Sequence, residues 1–227
     1  MSAGTDYTCG IERDTGSLHC WGKSDDEWSP SIPRRAPTTG AWDAVFAAEF
    51  RACAIQREDK TLHCWGVVYG VELDPQVPLL GGAPLAAAWV GDRMVCGLHA
   101  DTGAALCDVY TNPPGTFVDI GEACGLRADG TLLCWGGDPD VAAAPKEPFH
   151  TLGSGNDFTH CGLRAPDRHP VCWNYPSGWL DRAPKQPFQE LAVGWGFACG
   201  IGEGGSPIVC WGEEVKEFPE LSSPFAQ

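Results

Sequence analysis

The stretch that decides the fold is Cys124-Gly125-Leu126-Arg127-Ala128-Asp129-Gly130-Thr131-Leu132-Leu133-Cys134-Trp135-Gly136. Two apolar runs flank an Asp-Gly turn, a pattern typical of a β-hairpin. With the turn in the middle, the two cysteines face each other on neighbouring strands, where Cβ atoms approach within about 4.5–5.5 Å. A disulfide can form there with little strain. The stretch therefore predicts a hairpin that is closed by its own disulfide.

The same pattern occurs six times in the 227-residue chain, and together the copies use all twelve cysteines. Five pairs are 11 residues apart and one is 10 apart. The predicted pairs are Cys9 with Cys20, Cys53 with Cys64, Cys96 with Cys107, Cys124 with Cys134, Cys161 with Cys172, and Cys199 with Cys210. The predicted hairpins lie at about 4–22, 48–66, 91–109, 121–136, 155–174 and 194–212.

A third strand is predicted before every hairpin except the first, which follows the N-terminus almost directly. These strands cover 41–45, 85–90, 116–120, 148–152 and 187–191. The strand that the first hairpin lacks has its match in Pro224-Phe225-Ala226-Gln227. We therefore predict that residues 1–227 form one all-β domain, a six-bladed β-propeller whose ring closes when 224–227 pairs into the first blade.

The spacing between repeats is uneven. Only 28 residues separate Cys96 from Cys124, whereas the other intervals between first cysteines are 37 to 44 residues long. The segment through Asn112-Pro113-Pro114-Gly115 is therefore short, and the third repeat is expected to lack its outermost strand.

These motifs resemble the regulator of chromosome condensation repeat family, in the cysteine-rich form found in exported bacterial proteins. The first repeat carries the signature as Gly4-Thr5-Asp6-Tyr7-Thr8-Cys9-Gly10-Ile11, followed by Cys20-Trp21-Gly22. The resemblance covers essentially the whole chain and implies a propeller of four-stranded blades, usually seven, whereas six repeats are present here. The nuclear member of the family is a nucleotide-exchange factor on chromatin, a role that this acidic, cysteine-paired chain does not favour. One exported propeller of this type inhibits secreted β-lactamases through its loop face.

Composition excludes several classes of function. Lys+Arg 15 against Asp+Glu 30 gives a net charge of −15, which repels phosphate backbones and anionic lipid surfaces. Because no apolar run reaches the roughly 18 residues needed to span a bilayer, membrane insertion is not expected. Twelve paired cysteines indicate an oxidising compartment, so we predict an extracellular or periplasmic protein. No export signal is evident, and we expect it to have been removed.

Metal, cofactor and catalytic roles are not predicted. Structural zinc sites need two cysteines with two to four residues between them, and that spacing is absent here. His160 precedes Cys161, a pairing that could suggest a catalytic thiol, but Cys161 has a disulfide partner in Cys172. The chain contains no G-x-S-x-G, H-E-x-x-H or Walker sequence. We therefore expect neither an enzyme nor a cofactor-binding protein.

Five tryptophans occupy the same position in their repeats, directly after the second cysteine. Consecutive strand residues point to opposite faces, so these side chains point away from the disulfides and are predicted to pack between neighbouring blades. They are Trp21, Trp65, Trp135, Trp173 and Trp211.

The loops that lead from each third strand into its hairpin form the predicted binding face. Repeat symmetry gathers them at one end of the propeller, and their aromatic and arginine side chains are typical of interface anchors. The candidate residues are Asp6, Tyr7, Phe50, Arg51, Asp92, Arg93, Asn156, Asp157, Phe158, Trp195 and Phe197. The structural alternative is that these residues merely complete the hairpins.

Together these features predict a monomeric, non-catalytic scaffold that binds a protein, as an inhibitor of or an adaptor for an exported protein. Nucleic acid is not expected as a partner. Two other functions stay open. One is binding of carbohydrate or another small ligand, and the other is an enzyme with its site in the central channel.

Overall fold

The computed structural model describes residues 1–4, 6–22, 32–68, 70–91, 94–109, 111–121, 124–135, 144–153, 160–173, 183–194, 197–202 and 208–212. The chain divides into two compact units, residues 1–116 and residues 117–227. The described residues form six small antiparallel sheets, three in each unit, which confirms the all-β class. Each sheet contains one of the predicted hairpins.

Unit 1 contains three sheets, in the orders β1-β2-β3, β4-β5-β6-β7 and β8-β9-β10. The strands are β1 (Ser2–Ala3), β2 (Tyr7–Ile11), β3 (Leu18–Gly22), β4 (Trp42–Ala47), β5 (Arg51–Gln56), β6 (Leu62–Val68), β7 (Val71–Leu73), β8 (Leu85–Val90), β9 (Val95–His99) and β10 (Ala105–Cys107). Two short helical turns also occur, α1 (Ile32–Arg35) and a 3-10 turn at Leu80–Gly82.

Unit 2 contains three sheets of three strands each, in the orders β11-β12-β13, β14-β15-β16 and β17-β18-β19. The strands are β11 (Asp119–Gly121), β12 (Cys124–Leu126), β13 (Leu132–Cys134), β14 (Phe149–Gly153), β15 (His160–Arg164), β16 (Pro170–Trp173), β17 (Glu190–Gly194), β18 (Phe197–Ile201) and β19 (Ile208–Gly212).

All six predicted disulfides are present, and no cysteine is free. In each hairpin the two cysteines are direct cross-strand partners, with Cα atoms 4.0 Å apart in the pair of Cys124 with Cys134 and 4.2 Å apart in the pair of Cys96 with Cys107. The other four bridges join Cys9 to Cys20, Cys53 to Cys64, Cys161 to Cys172, and Cys199 to Cys210. The predicted hairpin register is therefore confirmed.

The bridges differ in how far they are shielded from solvent. Cys53 and Cys64 are both buried, at 0% and 2% exposure, whereas Cys210 is half-buried at the centre of β19. Because thiol–disulfide exchange requires access to a sulfur atom, the bridge to Cys64 is better protected from a reductant than the bridge to Cys210.

In several hairpin turns one residue has a left-handed backbone conformation, and its carbonyl accepts a hydrogen bond from the next repeat. Gly130 has φ 85°, and its N–H donates to the Arg127 carbonyl at 2.9 Å. Its own carbonyl accepts the Phe149 N–H at 2.8 Å, which holds the start of β14. Lys60 (φ 62°) and Arg168 (φ 53°) occupy the same turn position despite their side chains. Each of these turns therefore anchors the strand that begins the following sheet.

The first sheet differs from the prediction that no strand precedes its hairpin. β1 pairs with β2, with Ser2 opposite Cys9 and Ala3 opposite Thr8. In the second sheet Phe46 and Ala47 occupy these positions, opposite Cys53 and Ala52. The N-terminal residues can form this short strand because the loop at Gly4 returns directly into β2, where the Gly4 N–H donates to the Tyr7 carbonyl at 2.9 Å. The predicted closing strand, 224–227, lies outside the described residues.

The third repeat ends in a loop rather than in a fourth strand within its described residues. The Cys107 N–H donates to the Asn112 side-chain oxygen at 2.9 Å, and Thr116 forms an isolated bridge with Ala104. An unpaired strand edge is a template for aggregation, and a side chain that caps its N–H groups reduces that risk. The short spacing predicted from sequence thus corresponds to a capped sheet edge.

The cores of both units contain the repeated tryptophans. Trp65 is fully buried between the first two sheets, together with Trp42. In unit 2 each repeated tryptophan meets a phenylalanine near the start of a strand, with ring centroids 5.8 Å apart for Phe117 and Trp135, 5.4 Å for Phe149 and Trp173, and 5.7 Å for Phe188 and Trp211. These ring pairs each lie within one repeat. Packing between neighbouring sheets is confirmed for Trp65, for Trp173, which clusters with Leu126 of the preceding sheet, and for Trp211, which clusters with Leu163. For half-buried Trp135 it stays a prediction, and Trp21 is 51% exposed.

The turn of the fifth repeat carries an ion pair with a measurable pH signature. Arg164 Nε donates to the Asp167 carboxylate at 3.0 Å, and this guanidinium lowers the pKa of Asp167 from 3.8 to about 2. Ionised Asp167 therefore stabilises the folded state above pH 3.8, and this stabilisation is lost as the pH falls through 2. We expect Asp167→Asn to lower the melting temperature slightly at pH 7 and to leave it nearly unchanged at pH 2.

Thermal unfolding of the wild type and Asp167→Asn between pH 2 and pH 7 tests this expectation, with Asp14→Asn in the first turn as the control. A difference in melting temperature that stays constant across the range would show that Asp167 acts through packing rather than charge.

Candidate functional site

The loop end of unit 1 is organised around the buried ring of Tyr7. This side chain is 4% exposed, and its hydroxyl lies 2.8 Å from the carbonyl oxygens of both Ala48 and Arg51. Gly4 lies against the ring, since a Cβ at this position would be 2.4 Å from Tyr7 Cε1 and 2.5 Å from the Ala48 oxygen. Tyr7 therefore links the first sheet to the loop between β4 and β5 of the second sheet.

Arg51 continues this connection to the third sheet. Its side chain is 3% exposed, and Nε donates to the Gly91 carbonyl at 2.7 Å. The guanidinium also lies 3.7 Å from the Asp108 carboxylate, which accepts the Val95 N–H at 2.8 Å. A buried charge is tolerated when it is paired and hydrogen-bonded in this way. Arg51 thus fixes the relative positions of loops from two adjacent sheets.

These contacts correct part of the sequence-based assignment. Tyr7 and Arg51 were expected among the exposed anchors of the binding face, but both side chains lie inside the unit and use their polar atoms there. They complete the fold beneath the loops. The described candidates that remain at the surface of unit 1 are Asp6, which is exposed, and Phe50, which is 37% exposed.

Val109 joins this surface although the sequence-based prediction did not include it. It is 59% exposed and follows Asp108, just as Phe50 precedes Arg51. Because Arg51 contacts Asp108, Phe50 and Val109 belong to the same end of adjacent sheets. The available signal was the departure from Cys-Trp-Gly to Cys107-Asp108-Val109. We call Asp6, Phe50 and Val109 the loop face of unit 1.

The other predicted residues add little to this surface. Phe197 begins β18 and is half-buried, and its ring packs where a Cβ on Gly194 would lie 2.4 Å from Phe197 Cζ. The remaining six lie outside the described residues, namely Asp92, Arg93, Asn156, Asp157, Phe158 and Trp195. For those six, membership of the binding face stays a prediction.

Metal-binding clusters and membrane-spanning helices are both absent from the described part of the chain. It holds no group of three or more His, Cys, Asp or Glu side chains arranged to bind a metal ion. Within the same residues, no helix is both long enough and apolar enough to cross a membrane. The six disulfides indicate an oxidising compartment.

No protein-family model matches the chain. Its structure is similar to the CRINKLY WD40 ectodomain of the Arabidopsis thaliana receptor kinase ACR4, with a TM-score of 0.75 and 22% identity over 93% of this chain and 80% of that one. It is also similar to the ectodomain of the Physcomitrella patens receptor kinase CR4, with a TM-score of 0.81 and 22% identity over 100% of this chain and 66% of that one.

A third similar structure is yeast RCC1 (Prp20), solved bound to Kap60. The TM-score is 0.62, with 12% identity over 93% of this chain and 69% of that one. These likenesses, together with six small antiparallel sheets, support an RCC1-like β-propeller fold.

Proposed function

We propose that this chain is a non-catalytic scaffold that binds a protein through the loop face of unit 1. The observation that carries the proposal is that exposed Phe50 and Val109 are the chain neighbours of Arg51 and Asp108, whose side chains are joined beneath the surface. Arg51 is also held by its hydrogen bond to the Gly91 carbonyl. Apolar anchors that are held rigidly before binding lose little conformational entropy on association, which favours affinity. Asp6 is exposed at the corresponding position of the first sheet, and we assign it to the polar rim that is typical of protein interfaces.

The setting of this scaffold is proposed to be extracellular or periplasmic, where it acts as a monomer on an exported protein. The six disulfides support the compartment. The similar structures include two receptor ectodomains and an RCC1 that was solved bound to Kap60, so protein partners are a fitting class for this fold.

Binding should be abolished by placing charge on the loop face. We expect the double variant Phe50→Asp with Val109→Asp to lose a protein that the wild type captures stoichiometrically from the extracellular fraction of its source, because a desolvated carboxylate opposes an apolar contact. Val77→Asp is the matched control, since Val77 is 58% exposed and lies outside the loop face of the same unit. The measurement is quantitative pull-down, followed by calorimetry with the purified partner.

Two outcomes would contradict the proposal. Capture by the double variant at the wild-type level would show that the partner binds elsewhere. A glycan array that returns several equivalent sites per chain, with no stoichiometric protein partner, would favour the carbohydrate-binding alternative.

We also propose that the ring closes through Phe225 in the first sheet. In unit 2 the residue after the first cysteine is a glycine that is covered by the phenylalanine of the preceding strand. A Cβ on Gly162 would lie 2.6 Å from Phe149, and one on Gly200 would lie 2.4 Å from Phe188. In the first sheet a Cβ on Gly10 would instead lie 3.2 Å from Met1 Cγ and 3.3 Å from Trp21 Cη2, and Trp21 is 51% exposed among the described residues.

The register of the first sheet leaves room for this strand. Ser2 and Ala3 pair only with Cys9 and Thr8, so the positions beside Ile11 and beyond have no partner from β1 in the described residues. Pro224-Phe225 matches Pro148-Phe149 and Pro187-Phe188 in sequence. These features support Phe225 as the ring that packs on the exposed face of Trp21.

A double-mutant cycle tests the closure. We expect Phe225→Ala and Trp21→Ala to be coupled in the free energy of unfolding by about 0.5–1.5 kcal/mol, the size found for aromatic pairs. Urea denaturation of the two single variants and the double variant gives this coupling. Phe225→Ala combined with Val71→Ala is the control, because Val71 is 64% exposed on β7 and should show additive effects. Additivity in both cycles would refute the contact.

A further inference from the structure

His63 is a buried histidine whose two ring nitrogens both lie against oxygen atoms. The side chain is 8% exposed and belongs to β6, where it lies opposite Ala54 of β5. Its Nε2 is 2.7 Å from the Thr61 hydroxyl oxygen, and its Nδ1 is 2.9 Å from the Pro75 carbonyl oxygen. His19, which occupies the same position in the first repeat, is exposed. The surroundings of His63 are therefore specific to the second repeat.

The Pro75 carbonyl determines the protonation of Nδ1. A carbonyl oxygen only accepts hydrogen bonds, so Nδ1 has to carry a proton and donate it. Pro75 belongs to the loop 74–79, which follows β7 and returns to β6. The Leu79 N–H donates to the Leu62 carbonyl at 2.8 Å at the end of this loop. The hydrogen bond from His63 therefore joins the loop to β6 at a second point.

The direction of the Thr61 hydroxyl determines the protonation of Nε2. Thr61 Oγ1 donates to Asp59 Oδ1 at 2.8 Å, and the Thr61 N–H donates to the same oxygen at 3.0 Å. The N–H and, after it, the hydroxyl hold the pKa of Asp59 below its ordinary value of 3.8, so Asp59 is ionised at neutral pH and has no proton to give. Because a hydroxyl has a single proton, Thr61 can only accept a hydrogen bond from His63.

The fourth repeat contains the same aspartate and threonine without the histidine. The Thr131 N–H and hydroxyl donate to Asp129 Oδ1 at 2.9 and 2.7 Å, and Leu133 takes the place of His63. The hydroxyl proton thus lies toward the aspartate where no histidine is present. The direction assigned to the Thr61 hydroxyl is therefore the one that this type of turn adopts by itself.

We propose that His63 is held as a doubly protonated imidazolium and acts as a pH-sensitive switch that strengthens the attachment of loop 74–79 to β6. Both N–H groups donate, and Asp59 balances the positive charge through the Thr61 hydroxyl. Loss of the Nε2 proton turns Nδ1–H into a weaker, neutral donor, and loss of the Nδ1 proton leaves a lone pair against the Pro75 carbonyl. Either loss weakens the attachment, so the loop is held more tightly at lower pH.

The other charged groups near His63 do not bond to its ring. Trp42 of β4 presents its uncharged ring edge, with the ring centroids 5.7 Å apart. Helix α1 also packs against β6. The charged residues on the surrounding elements are Arg34 and Arg35 of α1, Asp43 of β4, Arg57 and Lys60 of the hairpin turn, Glu72 of β7 and Asp74 of the loop. Asp43 pairs with Arg57 and Lys60, and Arg35 pairs with Glu72. Within the described ranges none of these residues hydrogen-bonds to His63, which leaves Asp59 as the carboxylate linked to the ring.

Nuclear magnetic resonance of the ¹⁵N-labelled protein tests the proposal. At pH 6 we expect two ring N–H correlations for His63, because both protons are buried in hydrogen bonds, and none for the exposed ring of His19, whose protons exchange with water. As the pH is raised, loss of the second His63 ring proton should coincide with shifts of the amide signals of loop 74–79. The protection factor of the Leu79 amide against hydrogen exchange should then fall about fivefold, the difference between a charged and a neutral donor.

Two variants remove the switch in different ways. His63→Leu reproduces the fourth repeat, and the signals of loop 74–79 should no longer change over the pH range in which they change in the wild type. Thr61→Val keeps the shape of the side chain but removes the hydroxyl, so His63 should lose its second ring proton at a lower pH. Thr131→Val makes the same change in the fourth repeat and should leave His63 unaffected.

Fewer than two ring N–H correlations for His63 at pH 6 would overturn the proposal. An equal response of the loop to pH in the wild type and in His63→Leu would do the same, as would equal effects of the two threonine variants on His63. All of these signals come from the second sheet without a bound partner, so the result is independent of the loop face and of ring closure.

Discussion

Reduction of the six disulfides is expected to unfold the protein at room temperature. Each bridge closes a loop of about 12 residues, which the chain-entropy model equates to roughly 3 kcal/mol of stabilisation. A folded domain has only about 5–15 kcal/mol of net stability. Even with strong non-additivity, the loss of six bridges exceeds that margin. Circular dichroism and urea denaturation with and without reductant measure the effect.

The same experiment reports on the compartment. Intact mass after alkylation under denaturing conditions is expected to show no added groups without reductant and twelve after reduction, because no cysteine is free. Replacing one pair, as in Cys53→Ala with Cys64→Ala, is the graded control and should lower the unfolding free energy without abolishing folding. If all twelve thiols of the natural protein react before reduction, an oxidising location is ruled out.

Truncation of Trp65 is the second change with a large expected effect. This side chain is fully buried between the first two sheets, in a cluster with Tyr7 and Trp42. We expect Trp65→Ala to cost about 3–5 kcal/mol in the free energy of unfolding, the sum of lost burial and of the cavity that remains. Equilibrium urea denaturation, followed by circular dichroism, measures this cost.

Two other substitutions calibrate the result. Trp65→Phe retains most of the buried ring and should cost clearly less than alanine. Val77→Ala changes a 58% exposed side chain of the same unit and should stay within about 0.5 kcal/mol of the wild type. A cost for Trp65→Ala that matches the Val77 control would mean that the sheets do not pack around this residue.

The sequence alone predicted the hairpins and their disulfides because both depend on contacts within about a dozen residues. A turn at Asp129-Gly130 places Cys124 opposite Cys134 whatever surrounds them. The tryptophan after the second cysteine was also predictable, since strand alternation determines which face it occupies.

The binding face was predicted less well because burial there depends on the neighbouring repeat. The local sequence does not show that Arg51 is buried and Phe50 exposed. Arg51 is buried because its side chain contacts the Gly91 carbonyl and the Asp108 carboxylate, which belong to the next repeat. β1 was missed for a related reason, since a strand of two residues has too little sequence to show a pattern.

The short span of every disulfide has a consequence for biosynthesis. Twelve cysteines can in principle be joined in about ten thousand ways, since the number of pairings grows steeply with each added pair. Here each first cysteine is bonded to a cysteine 10 or 11 residues later, so its partner follows it almost immediately during synthesis. Oxidation can then follow the order of synthesis, one hairpin at a time, and little isomerase activity is needed to correct the pattern.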